Sequence, residues 1–176
     1  KTFLENIDKY SLVADIGCGN GKNMQYLNND YMFIGVDFSI ELLKICNNKN
    51  LEVIEANNCI VPFKTNSFDN SISIAVIHHL STQELRIQAI DEILRITKPG
   101  GLIMIQVWAF EREYSKKFEK QDAMIPWNKK DKVYLRYYYL FVENELDKLI
   151  KLSKYKTTIE KSYKERDNYI VVFHKN

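Results

Sequence analysis

Apolar runs alternate with amphipathic stretches along most of the chain. Leu12, Val13, Ala14 and Ile16 form a short apolar run, the pattern of a parallel strand covered on both faces. A helix follows over Lys22 to Leu27, and Tyr31 to Asp37 reads as a second buried strand that ends on an acid. Ser39 is a good N-cap for a helix from Ile40 to Asn47. Leu51 to Ala56 is the third strand. Ser67-Phe68-Asp69 begins a fourth, which runs through Ile72 and Ile74 to Val76. Ser81 with Glu84 three residues on has the form of a capping box and predicts a helix start there. The stripe Leu85, Ala89, Ile93, Ile96 carries that helix to Thr97, and Lys98-Pro99-Gly100-Gly101 turns it into a fifth strand, Leu102 to Trp108.

The pattern then changes. Residues 109–135 read as irregular and charged, and Arg136 to Phe141 as an aromatic extended segment. Glu143 or Asn144 opens a helix that ends near Lys154. Lys156 to Lys164 and Asn168 to His174 read as two strands joined by Glu165-Arg166-Asp167, while Lys1 to Tyr10 reads as the end of a helix. Strands alternating with helices predict an α/β fold with a doubly wound, mostly parallel sheet and a C-terminal antiparallel hairpin. Ligands of such sheets bind outside the carboxyl ends of the strands. With 176 residues and no repeat or linker, one domain over 1–176 is expected. The chain opens at Lys1 without a Met, so an N-terminal segment is expected to be trimmed.

The chemistry clusters at those strand ends. Gly17, Gly19 and Gly21 follow the first strand at every second position, where the backbone can turn tightly and approach a ligand. The spacing is not the G-x-G-x-x-G of dinucleotide sites. Asp15 stands two residues before the first glycine, and Asp37 lies 16 residues beyond the last. An acid near that distance suits a ribose diol, because a carboxylate only accepts hydrogen bonds; a plain strand-end or capping role is the alternative. Asn57 and Asn58 end the third strand, His78-His79 the fourth and Trp108 the fifth. Val61-Pro62-Phe63 is a lid over a ligand, or Phe63 is plain core.

Composition narrows the picture. No apolar run approaches the ~18 residues of a membrane span, so no membrane partner is expected. Cys18, Cys46 and Cys59 have no paired spacing, which argues against disulfides and a zinc site and points to a reducing cytoplasmic or nuclear compartment. No metal is expected. The net charge is only +2, but residues 1–111 hold 9 Lys and Arg against 13 Asp and Glu, and residues 112–176 hold 16 against 10. Such asymmetry suits a protein that holds a small cofactor in one half and meets a polyanion with the other. Lys116, Lys117, Lys120, Lys129, Lys130 and Lys132 are candidate phosphate contacts, or simply solvated.

The Asp-x-Gly-x-Gly-x-Gly arrangement resembles the first motif of class I S-adenosylmethionine-dependent methyltransferases, which have a Rossmann-like seven-stranded sheet. Further stretches resemble one subfamily: Ile72-Ser73-Ile74-Ala75-Val76-Ile77-His78-His79-Leu80-Ser81-Thr82, Trp108-Ala109-Phe110-Glu111, Gln121-Asp122 with Pro126-Trp127, Arg136-Tyr137-Tyr138 and Glu165-Arg166-Asp167-Asn168. Together they resemble the eukaryotic tRNA wobble-uridine carboxymethyl methyltransferases, including the methyltransferase domain of AlkB-type tRNA-modifying proteins. The resemblance implies methyl transfer to the carboxylate of 5-carboxymethyluridine in tRNA, with a small zinc-binding activator subunit as partner. It implies that Asp15, Gly17, Gly19, Gly21, Asp37, Phe38, Asn57, Asn58 and Ala75 hold S-adenosylmethionine. The family often has Asp where Asn57 stands, at the adenine amino group. The stretch between Trp127 and Tyr134 is short for the family.

An ionised carboxylate acceptor needs no general base. It needs alignment, exclusion of water and a planar cation, for which Arg166 is the first candidate and Arg136 the second. His79 is expected to donate to the uridine or its carboxylate, His78 to be a core residue, and Trp108, Tyr138 and Asp167 to contact the base, with core packing the alternative for the two rings. The third strand, an edge bearing Leu51, Val53 and Ile54, invites strand pairing with a partner. A class I enzyme for a small carboxylate or amine, and a non-catalytic cofactor-binding scaffold, are the competing readings.

Overall fold

The computed structural model describes residues 7–27, 30–111, 118–129 and 132–176, without the side chains of residues 26, 27 and 127–129. A seven-stranded sheet forms its centre. In chain order its strands are β1 (Leu12–Ile16), β2 (Met32–Asp37), β3 (Val53–Glu55), β4 (Asn70–Ile74), β5 (Leu102–Trp108), β8 (Thr157–Glu165) and β9 (Asn168–Lys175). The spatial order is β3-β2-β1-β4-β5-β9-β8. The first five strands are parallel, and β9 inserts antiparallel beside β5 with β8 outside it. The sheet is the doubly wound, mostly parallel one expected, with its C-terminal hairpin.

Both faces are covered. On one, α3 (Gln83–Ile96) and α4 (Glu145–Lys151) bury Ile90, Ile93, Leu146 and Ile150 against Ala14, Ile103 and Phe173. On the other, α1 (Lys22–Leu27) and α2 (Ile40–Asn47) bring Met24, Leu43 and Cys46 onto Val13, Ile72 and Val172. Adjacent residues Val13 and Ala14 thus serve opposite faces, as the two-residue period of a strand requires. Phe63 lies edge-to-face on the fully buried Phe68, with ring centroids 4.8 Å apart, so it joins the core. No helix among the described residues is long and apolar enough to cross a membrane.

Three expectations are corrected. The cap of α3 is Thr82, whose hydroxyl accepts from the Leu85 N–H at 3.3 Å, one residue after the expected Ser81. β3 is only three residues long, and Leu51 is buried in the core instead of lying on the edge. The largest difference lies within 109–135, which does not stay irregular. Asp122–Lys129 (β6) and Lys132–Tyr139 (β7) pair antiparallel as a separate two-stranded sheet, with Ala123 opposite Tyr138 and Ile125 opposite Arg136. Pro126 is tolerated because an outer strand need not donate every N–H. The Lys1–Tyr10 helix lies largely outside the described residues.

This packing predicts a contrast in stability. Ile90 is fully buried and Ile60 is 69% exposed. Ile90→Ala should lower the unfolding free energy by about 2–5 kcal/mol, and Ile60→Ala by no more than about 0.5 kcal/mol. Urea denaturation of both variants checks this.

Candidate active site

The turn after β1 is set by space. Gly17 has φ +86°, and a Cβ there would lie 2.2 Å from Cγ2 of Val76. Its N–H and that of Cys18 both donate to the Val36 carbonyl, at 2.7 and 2.9 Å. Gly19 also has positive φ, but an added Cβ would meet no atom within 4 Å, so this backbone borders open space. Val76 is pressed onto Gly17 by an irregular β4 end: Ala75 has φ +60° and donates its N–H to Gln106. A non-glycine residue in that region costs about 1–3 kcal/mol.

Two acids flank the turn in different ways. Asp37 is a bracket. One oxygen accepts from the Gly19 N–H and the other from the Ser39 N–H, both at 2.9 Å. Each oxygen keeps a lone pair for a further donor, such as a ribose hydroxyl. Asp15 is 0% exposed, and its carboxylate oxygens have no hydrogen bond of ordinary geometry within the protein, although the Asn23 side chain is near enough to act on them. Burial pushes it up to about 7, the Asn23 side chain opposing and the Asp37 charge adding to the shift. A buried carboxylate in this state calls for a cation or donor from outside the chain. The ammonium group of S-adenosylmethionine is such a partner. The open backbone at Gly19, the Asp37 bracket and the 74% exposed Phe38 suit its remaining parts. The residues fit that cofactor.

The asparagines divide. The Asn57 amide oxygen accepts from the Cys59 N–H at 2.9 Å in a local turn, whereas the Asn58 amide oxygen is buried without a hydrogen bond. Beneath the loop, the Cys46 and Cys18 thiols reach the Gly19 carbonyl at 3.3 and 3.9 Å. All three cysteines are free and buried, and burial pushes their thiols up, away from the reactive thiolate.

A ring cluster occupies the ends of β4 and β5. A 3-10 turn, Ile77–His79, follows β4. His78 is fully buried, and its Nδ1 accepts from the Trp108 N–H at 3.2 Å, so it is the core histidine. His79 Nδ1 donates to the Tyr137 carbonyl at 3.0 Å. Packing around the ring holds its pKa below the ordinary value, against the Tyr137 bond, and Arg136 lowers it further. In the neutral ring Nε2 is therefore an acceptor, which reverses the expected donor role. Tyr138 is 7% exposed and stacks on Trp108, centroids 4.5 Å apart and planes 17° apart. One face of each ring is thereby used within the protein, the packing alternative for Tyr138.

The two arginines lie on different hairpins. Arg136 is exposed on β7, opposite Ile125, and its charge acts on His79. Arg166 is exposed in the β8–β9 turn with φ +52°. That turn falls at the carboxyl end of the sheet as expected, because Asn168 is in register with Trp108 and the Asp167 carbonyl accepts from the Ala109 N–H at 3.0 Å. Lys120 and Lys132 are exposed, while Lys116, Lys117, Lys130 and the Lys129 side chain lie outside the described residues. Sequence reasoning missed Arg86 and Glu145. The only signal for Arg86 was its place beside the apolar stripe of α3; Glu145 gave none.

The strand order, the glycine turn and the two acids define a class I S-adenosylmethionine-dependent methyltransferase. The chain belongs to the methyltransferase domain family, which matches residues 14–105. It is 37% identical over 198 residues to the tRNA (carboxymethyluridine(34)-5-O)-methyltransferase of Schizosaccharomyces pombe, covering 99% of this chain and 85% of that one. It is 33% identical over 232 residues to the Xenopus tropicalis protein of the same description, alkbh8, covering 98% of this chain and 36% of that one. The chain spans about a third of the length of several curated relatives that it matches. Among solved structures, the PH0226 protein of Pyrococcus horikoshii superposes with a TM-score of 0.80 at 19% identity, covering 99% of this chain and 87% of that one. A putative methyltransferase in complex with the Haloferax volcanii Trm112 activator gives 0.75 at 14% identity, covering 96% and 84%.

Asp15 yields a paired prediction. Its folded pKa of about 7 lies above the ordinary 3.8, so this group's contribution to stability falls as pH rises between those values. Without cofactor, Asp15→Asn should therefore melt higher than the parent at pH 8, and the gap should shrink toward pH 5. The same variant should bind cofactor on the order of 10–100-fold more weakly. Thermal melts across pH and titration calorimetry check both halves.

Proposed function

We propose that this chain methylates the carboxylate of 5-carboxymethyluridine at the wobble position of tRNA, giving the methyl ester. The observation that carries the reading is the 37% identity along 99% of the chain to an enzyme described by that reaction. The site agrees with it. S-adenosylmethionine, held by Asp15, the glycine turn, Asp37 and Phe38, would supply an electrophilic sulfonium methyl group. The acceptor is already ionised at neutral pH, so the enzyme needs no base. His79, neutral and with Nε2 open to accept, suits the N3–H of a uracil ring. Trp108 ends β5, and Arg136 and Arg166, one on each hairpin, are the candidates to meet the acceptor, because a guanidinium can hold one carboxylate oxygen while the other attacks.

The edge strand β3 is the proposed seat of a small zinc-binding activator subunit. It is the last strand of the sheet on that side, and Ile54 is exposed on it. Strand addition there would satisfy its unpaired backbone groups. Buried free thiols agree with a reducing compartment, cytoplasmic or nuclear.

In a transfer assay on tRNA carrying carboxymethyluridine, Arg166→Ala and Arg136→Ala should each lower kcat/KM at least tenfold while cofactor affinity stays within twofold. Parent-like transfer in either variant removes that arginine from the mechanism. Transfer to free carboxylic acids or amines, with none to tRNA, selects the small-molecule alternative; cofactor binding with no transfer to any acceptor selects the scaffold. Ile54→Lys should abolish co-purification with the activator, and an intact complex would exclude β3 as its seat.

A further inference from the structure

We propose that Arg86 is the positioning residue that seats the β6–β7 hairpin, and with it Tyr138 and Arg136, on the histidine turn. The inference rests on the tRNA reading only for its activity arm. The hairpin forms its own two-stranded sheet and is not part of the central one. Its base is tied to the end of β5 by backbone bonds, the Phe110 N–H to the Phe141 carbonyl at 2.7 Å and the Phe141 N–H to the Trp108 carbonyl at 2.9 Å, and beyond that base side-chain contacts help to hold it. At its Tyr139 end, Glu145 of α4 takes hydrogen bonds from the Tyr139 hydroxyl, from Gln121 Nε2 at 2.7 Å and from the Val142 N–H at 3.0 Å. Arg86 of α3 packs on the same Tyr139 ring and ties it to the histidine turn.

Arg86 lies on the buried face of α3 and is only 6% exposed. Nη1 donates to the Leu80 carbonyl at 2.7 Å, immediately after the histidine turn. The face of the same guanidinium lies over the Tyr139 ring of β7, 3.7 Å from its centroid. One cation thus grips the turn with its edge and the hairpin with its face. A planar guanidinium can do both at once, whereas an ammonium has no face to stack. Two further contacts cross the same seam: His79 Nδ1 to the Tyr137 carbonyl at 3.0 Å, and the Tyr137 hydroxyl to the Ser81 carbonyl at 3.2 Å; the Asp122 carboxylate that this hydroxyl also meets is on β6, within the hairpin itself. Arg86 also acts on Tyr137, opposing the upward shift that burial and Asp122 impose on its phenol. Residues 137 to 139 are consecutive on β7, so a slip at Tyr139 moves Tyr138 against Trp108 and moves Arg136. Misplacement of about 1 Å can cost on the order of 100-fold in rate.

The test uses Arg86→Lys, Arg86→Met and Tyr139→Leu in the full chain. The tryptophan band of the near-ultraviolet circular dichroism, to which only Trp108 and Trp127 contribute, reads the surroundings of the Trp108 ring without any substrate. Arg86→Lys and Tyr139→Leu should each reduce that signal, leave cofactor affinity within twofold and lower kcat on tRNA at least tenfold. Tyr139→Phe, which keeps the ring beneath Arg86 and loses only the hydroxyl bond to Glu145, should keep more of the signal than Tyr139→Leu. A parent-like spectrum and kcat in Arg86→Lys would overturn the proposal, and so would a spectrum lost equally in Tyr139→Phe. If Arg86→Met does not fold, the lysine and Tyr139 variants still decide. If the parent enzyme transfers no methyl group to tRNA, the substrate reading fails, while the spectra still judge Arg86.

Discussion

The carboxyl end of the sheet depends on one bracket, the Asp37 carboxylate between the Gly19 and Ser39 N–H groups. It joins the glycine turn after β1 to the start of α2 after β2. It holds the N–H of a glycine that borders open space, while the Cys46 and Cys18 thiols meet the same residue's carbonyl. The two N–H bonds of Gly17 and Cys18 to Val36 then fix the rest of the turn against β2. Gly17 can have no side chain because Val76 is already there, and Val76 is there because Ala75 is held in a left-handed conformation. The acid thus aligns the ends of β1 and β2, and the Val76–Gly17 contact brings the end of β4 against them.

The site's other features have a cost that the fold absorbs elsewhere. Asp15 is buried with no hydrogen bond of ordinary geometry to the chain, and Ala75 is strained. Neither would persist on packing grounds alone. Both are explicable if a cationic ligand compensates one and the other shapes its bed. The cysteines beneath the loop do the opposite work. They are small, buried and unreactive, and their thiols help hold the Gly19 carbonyl from below.

The central sheet was legible in the sequence because its strands are short apolar runs closed by glycine, acid or capping residues. β8 and β9 came within a residue of their bounds, since Glu165-Arg166-Asp167-Asn168 punctuates them sharply. The β6–β7 hairpin was not legible. Its inner face holds Ala123, Ile125 and Tyr138, but Pro126 and flanking charges break the alternation, and its partner strand can be known only from the fold. The cofactor side was legible because backbone and acids make it, and their spacing is local. The candidates for the acceptor side could be named from the sequence, but not their geometry. Nothing in the spacing says that Tyr138 lies against Trp108, that His79 spends its proton on Tyr137, or that Arg86 joins α3 to β7. Those contacts arise where segments more than 25 residues apart meet.

The proposed activity is methyl ester formation on tRNA. The most direct measurement is transfer from methyl-labelled cofactor to total tRNA from cells lacking the modification, with the activator present, followed by mild base. The account predicts label on the tRNA that base releases as methanol. Label that survives base would place the methyl group on another atom and contradict it.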